Sequence, residues 1–220
     1  MKRTTILLGV VGSHAYGLHR EGSDYDRLGV FVAPTLEVAG LDWHSNKESI
    51  VDQGPDGDDF AMHEVGKFCR LALKVNPTIT ELLWLDEYEK QEVAGFLLEG
   101  IRESFLSAPY VKNAYLGYAR SQLDKFHHGD FKRKHARHCL RLLRQGVELL
   151  ETGQLTVKVP DPQTYFDMDE MTNGQVIEVL TNEFKSFDEK LLTLTSPLPQ
   201  EPDRKTVSEF LEDVRASHMF

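Results

Sequence analysis

Two aspartates spaced one apart, Asp24 and Asp26, stand in "SDYDRLGVFV", and ten residues separate them from a Gly12-Ser13 pair that closes the apolar run "TTILLGVVGS". Side chains two apart on a strand point to the same side, so both carboxylates are expected to face one way. Like charges so placed repel unless a cation lies between them. Hard oxygen donors of this kind suit Mg²⁺ or Mn²⁺, with water and substrate phosphates as the remaining ligands. Gly12 lets the backbone come close to a phosphate, and the next N–H groups and the Ser13 hydroxyl are then placed to donate to its oxygens. Such an arrangement serves phosphoryl chemistry, in which metal ions activate an attacking hydroxyl and stabilise a leaving pyrophosphate. Either motif alone is commonplace, a turn or a surface acid pair. Their order between two apolar runs is more specific.

The elements that must position these residues can be read from periodicity. "TTILLGVV" is β-branched and apolar and predicts a buried strand, and "RLGVFVAP" predicts a second, ended by Pro34. Between them, three glycines leave room for a short helix after Gly12-Ser13. Residues 35–57 are polar and turn-rich around a short strand at 49–51. "DFAMH" predicts a third strand, and "EVGKFCRLALKV" a helix closed by Asn76-Pro77. From about Glu89 the pattern changes to long stretches with apolar residues at helical spacing. "SPLPQEPDR" predicts a spacer, and "TVSEFLEDVRAS" a last amphipathic helix. The expected fold class is α/β (α+β): a mixed twisted sheet backed by helices, with a C-terminal helical region. The expected organisation is an α/β core over 1–90, a helical region over 91–195 that completes the cleft, and a Pro-rich spacer with a terminal helix over 196–220.

Composition narrows the classes. The 220 residues are 40% hydrophobic and 27% charged, as in ordinary globular proteins, and the formal charge is −10. That balance argues against a non-specific DNA binder, which presents an excess of Lys and Arg. Apolar runs such as "ILLGVV" are far shorter than the roughly 20 residues a spanning helix needs, so no membrane association is expected. The basic start followed by an apolar run mimics a signal peptide, but the run leads straight into Gly12-Ser13, which cleavage would remove. Cys69 and Cys139 lie among apolar neighbours and read as buried free thiols in a reducing compartment, and a cytoplasmic location is expected.

The ordered pattern "VVGSHAYG" followed by "SDYDRLGVFV" resembles the DNA polymerase β-like nucleotidyltransferase superfamily, specifically its small "predicted nucleotidyltransferase" branch. The resemblance extends, less specifically, through "DDFAMHEVGKFCRLALKVNPTITELLWL" and "KHARHCLRLLRQGVELLETGQL", over roughly residues 5 to 155. It implies nucleotide held by Gly12 and Ser13, metals held by Asp24 and Asp26, and a third carboxylate from a later strand. Asp59 opens the "FAMH" strand at about the family's place for that acid. Asp58 and Glu64 are its rivals, with a turn role and a helix N-terminal role as their ordinary readings. The implied activity moves a nucleoside monophosphate from an NTP to an acceptor hydroxyl on RNA, protein or a small molecule. The alternative is a non-catalytic nucleotide-binding or antitoxin-like partner protein on the same fold.

One further feature is a basic stripe. In "KRKHARHCLRLLRQGVELL", Ala136, Leu140, Leu143, Val147 and Leu150 share a helical face that should be core. Lys134, Arg137, Arg141 and Arg144 fall on an adjacent face. A solvated charged face is the commoner meaning of such a stripe. With no acid interleaved before Glu148, Lys134, Arg137 and Arg141 are candidates to contact nucleotide phosphates or an RNA backbone. His14, His19, His63, His127 and His128 lack metal-ligand spacing, and His135 and His138 lie among cations. Tyr16 is expected to pack rather than to stack on a base.

Overall fold

The computed structural model describes residues 3–53 and 59–220. Five strands are present among them: β1 (Thr4–Val11), β2 (Asp26–Val32), β3 (Ser49–Gln53), β4 (Asp59–Glu64) and β5 (Lys90–Gln91). They form one mixed sheet in the order β3-β4-β2-β1-β5. β1 and β2 pair antiparallel from Thr4↔Val32 to Val11↔Asp26. β2 and β4 pair parallel, starting at Arg27↔Phe60.

Ten α-helices accompany the sheet among the described residues. Those before residue 101 are α1 (Gly12–Tyr16), α2 (Thr35–Val38), α3 (Val65–Ala72), α4 (Pro77–Thr80) and α5 (Val93–Gly100). The remaining five are α6 (Ala108–His128), α7 (Arg133–Thr152), α8 (Pro162–Phe166), α9 (Asn173–Thr193) and α10 (Arg204–Ser217). The α+β class expected from the sequence is the observed one. No strand lies beyond Gln91, and the "LTVKV" stretch at 155–159 is irregular.

The chain divides into two compact units, Met1–Phe105 with Pro202–Phe220, and Leu106–Glu201. In the first unit, Leu7, Val30 and Phe31 are fully buried, the outcome of continuous apolar runs on strands covered on both faces, and Val65 at the start of α3 is buried with them. On one side Phe31, Ala33 and Met62 form a cluster, with Val38, Trp43, Ile50 and Phe60 packed on it. α5 lies directly on β1, because a Cβ at Gly95 would stand 2.1 Å from the Ile6 carbonyl oxygen. β5 escapes a reading by periodicity, since two residues carry no period; it is held by pairing with Leu7 and Leu8.

α10 returns to the first unit, which the sequence pattern does not show. Asp203 caps it by accepting from the Thr206 N–H. Near its end Arg215 forms an ion pair with Glu64 (2.6 Å), whose side chain is 2% exposed. The Thr35 hydroxyl donates to the Arg215 carbonyl (2.7 Å). In the second unit, α6 and α7 approach closely at Gly146, where a Cβ would stand 2.8 Å from the Tyr115 Cβ. Ala136, Leu140, Leu143 and Leu150 of α7 are buried, as their shared face predicts, and Val147 is half-buried. α7 stops at Gly153, in the left-handed region at φ 73°. α9 starts with a capping box between Thr172 and Gln175.

Candidate active site

β1 delivers the chain to Gly12, which turns it at φ +69° into α1. That conformation suits glycine, and space demands it too: a Cβ at Gly12 would lie 2.2 Å from Asp26 Oδ2. The turn therefore backs directly onto the Asp26 carboxylate. The cause is register, since Val11 is the cross-strand partner of Asp26. Ser13 follows in the first turn of α1.

β2 begins at Asp26, so Asp26 lies on the strand and Asp24 precedes it, exposed. The pair is thus not set by strand alternation alone. β1 leaves the sheet at Gly12, and among the described residues no neighbouring strand pairs with the approach to β2 ahead of Asp26. Asp59 is the first residue of β4 and is exposed. Because the parallel ladder starts at Arg27↔Phe60, Asp26 and Asp59 each stand one residue ahead of it, at the same end of adjacent strands.

Glu64 is otherwise committed. It caps α3, accepting from the Gly66 N–H at 2.8 Å, and pairs with Arg215. Its ordinary reading as a helix N-terminal acid describes its place. Asp58 lies outside the described residues.

Among the described residues no group of three His, Cys, Asp or Glu side chains is assembled that could hold a metal ion by itself. The donor chemistry at this end of the sheet still fits Mg²⁺. That ion is bound through one or two carboxylates together with phosphate oxygens and water, and Asp24, Asp26 and Asp59 supply hard carboxylate oxygens.

Helix α1 and the loop that leads from it to β2 carry three rings that sequence reasoning did not connect. The His14 imidazole stacks on Tyr25 (centroids 3.8 Å apart, planes 11° apart) and on His19 (4.4 Å, 14°). His14 Nε2 lies 3.1 Å from the Ser23 carbonyl oxygen. The Arg27 guanidinium sits over Tyr25, 5.6 Å from its centroid, and donates through Nε to both oxygens of Glu89 at 3.0 Å. Their signal in the sequence was aromatic residues interleaved between the Gly-Ser pair and the aspartates. Tyr16 is buried and donates to Glu81 (2.8 and 2.9 Å), so it packs as expected.

Lys134, Arg137 and Arg141 lie on α7, in the second unit. Arg137 pairs with Asp169 at 2.6 Å, and Arg144 with Glu183 at 2.7 Å. The acids missing from the helix itself are supplied by the turn at 167–169 and by α9. Arg141 is 1% exposed and donates to Gln145 and to His138 Nδ1. Lys134 is exposed. Burial, with the charges of Arg141, His135 and Lys125, depresses the His138 pKa to about 3. Cys69 and Cys139 are buried free thiols, and burial pushes each pKa up to about 12.

A model of the RNA repair pathway DNA polymerase beta family (RlaP) matches residues 2–186. The chain belongs to this family. Membership places the chain in the nucleotidyltransferase superfamily that the sequence pattern resembled. The match stops short of α10, although α10 packs into the same unit as the turn. No curated protein matches the chain. No helix among the described residues is long and apolar enough to cross a membrane.

Proposed function

We propose that the protein is a metal-dependent nucleotidyltransferase that moves a nucleoside monophosphate from an NTP to an acceptor hydroxyl, releasing pyrophosphate. The observation that carries this reading is the contact of the Gly12 turn with Asp26. A backbone suited to a phosphate and a carboxylate suited to a cation lie side by side, with Asp59 at the same end of the adjacent strand. In the proposal, Gly12 and Ser13 bind triphosphate oxygens through N–H and hydroxyl donors. Asp24, Asp26 and Asp59 would hold Mg²⁺ or Mn²⁺, which when bound supplies neutralisation of the phosphoryl charge. Asp59 is the proposed acceptor of the attacking hydroxyl's proton. Residues 1–90 would carry this chemistry.

The family description, an RNA repair pathway, favours an RNA hydroxyl as acceptor over a protein or small-molecule one. Contact of Lys134 and Arg137 with nucleotide phosphate or an RNA backbone is a separate part of the proposal; Arg141, 1% exposed and donating to Gln145 and His138, is not part of it. Unchanged NTP affinity in Lys134→Gln and Arg137→Gln would remove those two contacts. A cytoplasmic location is proposed on the same footing as the two buried free thiols, which suit a reducing compartment.

Incubation of the protein with each labelled NTP, Mg²⁺ and pools of RNA, protein or small molecules tests the whole reading by mass spectrometry. Labelled RNA and pyrophosphate are expected, and chelation by EDTA should abolish both. NTP binding without any consumption over hours would instead mark a nucleotide-binding module.

A further inference from the structure

We infer that the ring stack of His19, His14 and Tyr25 is a nucleobase platform beside the phosphate turn. The inference rests on the nucleotidyltransferase reading and adds the part of the ligand it would hold.

The stack has a defined order. Two rings with centroids 3.8 and 4.4 Å from the His14 centroid, both nearly parallel to it, would overlap if they shared one imidazole face. Tyr25 and His19 therefore cover opposite faces of His14. Arg27 lies over Tyr25 and is held by Glu89, which marks that end of the column. The other end is His19, which is exposed.

A column built only to hold the loop would be expected to bury its rings. Here the terminal imidazole is exposed and Tyr25 is 45% exposed. The column is also set in advance: His14 is fixed at the Ser23 carbonyl and Arg27 at Glu89. A pre-set ring face costs less ordering entropy when a flat ligand stacks on it. Every nucleobase presents such a face, and aromatic side chains recognise unpaired bases in this way. Location decides the class of ligand. His14 follows Ser13 directly, and Tyr25 lies between Asp24 and Asp26, so the column shares its backbone with both halves of the candidate site. The base belongs either to the NTP or to the end of a single-stranded acceptor.

Calorimetric binding in Mg²⁺, without turnover, separates these sources. The probes are ATP, inorganic tripolyphosphate and a short single-stranded RNA, on wild type, His19→Ala and His19→Phe. If the base is that of the NTP, His19→Ala weakens ATP about 5- to 100-fold. Tripolyphosphate is then unaffected, and His19→Phe restores ATP. If the base is the acceptor's, the same loss and rescue appear with RNA, and ATP is unchanged. Equal weakening of ATP and tripolyphosphate would overturn the platform, since the ring would then act through the phosphate turn. So would binding of all three probes unchanged by His19→Ala. Wild-type protein that binds neither ATP nor tripolyphosphate overturns the function reading instead. RNA binding indifferent to His19→Ala would in that case overturn the platform as well.

Discussion

At Gly12 a single added methyl meets two obstacles, a left-handed φ and the Asp26 carboxylate 2.2 Å from where the Cβ would be. Gly12→Ala is expected to cost about 1–2 kcal/mol of stability from the backbone alone. It should also push Asp26 aside, with at least a tenfold fall in transfer, read by thermal melts and initial rates. Asp24→Asn and Asp26→Asn keep shape and remove charge, so each should abolish transfer while folding survives. On the proposed function the two carboxylates act as a unit, so the double variant should be no worse than either single one. Full activity in either single variant would show that the pair is not the metal site. Ser13→Ala should be milder, weakening NTP binding by about 1.5–3 kcal/mol for one hydrogen bond to a charged group. The approach of Gly12 to Asp26 was legible because one turn and one strand start lie within fifteen positions of sequence. Glu64 was harder to place. Its cap to Gly66 is local and was anticipated, but its ion-pair partner lies far along the chain.

On α7, burial is expected to appear as a pH dependence of stability. His138 titrates at about 3 when folded and near its ordinary value when unfolded. Below pH 6.5 the unfolded chain therefore binds more protons than the folded one. The contribution of His138 is intact above that pH and is lost as pH falls toward 3. Between pH 6.5 and 5 the loss should reach about 2 kcal/mol. Urea melts of wild type and His138→Gln at these pH values check it, and the variant's curve should be flatter. α10 carries the other element-scale prediction. Arg215→Ala leaves the Glu64 carboxylate buried without its cation, and a loss of about 3 kcal/mol is expected in denaturant melts. Glu64→Gln, which removes the charge instead, should cost less. Helices α6 and α7 could be read from period 3.6, but the partners of Arg137 and Arg144 could not. Asp169 and Glu183 lie more than thirty residues away, and no local pattern encodes such a pairing.

Across the whole molecule, the first unit is discontinuous in sequence, with the 106–201 unit inserted between its two parts. The change of texture near Glu89 marks where strands give way to helices. It carries no information about which unit a later helix joins, because an amphipathic stripe records that a face is buried and not against what. Removal of residues 204–220 is expected to lower the melting temperature and to expose apolar surface around α3. Dye binding and circular dichroism measure both. A truncated chain as stable as the full one would show α10 to be an accessory.

The return of α10 also sets an order of events during synthesis. Translation proceeds at about 5–20 residues per second, and domains generally fold as units. The inserted unit is fully emerged before the last strap of the first unit leaves the ribosome. Glu64 must therefore wait in a partly assembled unit, its carboxylate still hydrated, until Arg215 arrives. Completion of the first unit would thus come after the inserted unit has emerged, although the first unit's sheet is made long before.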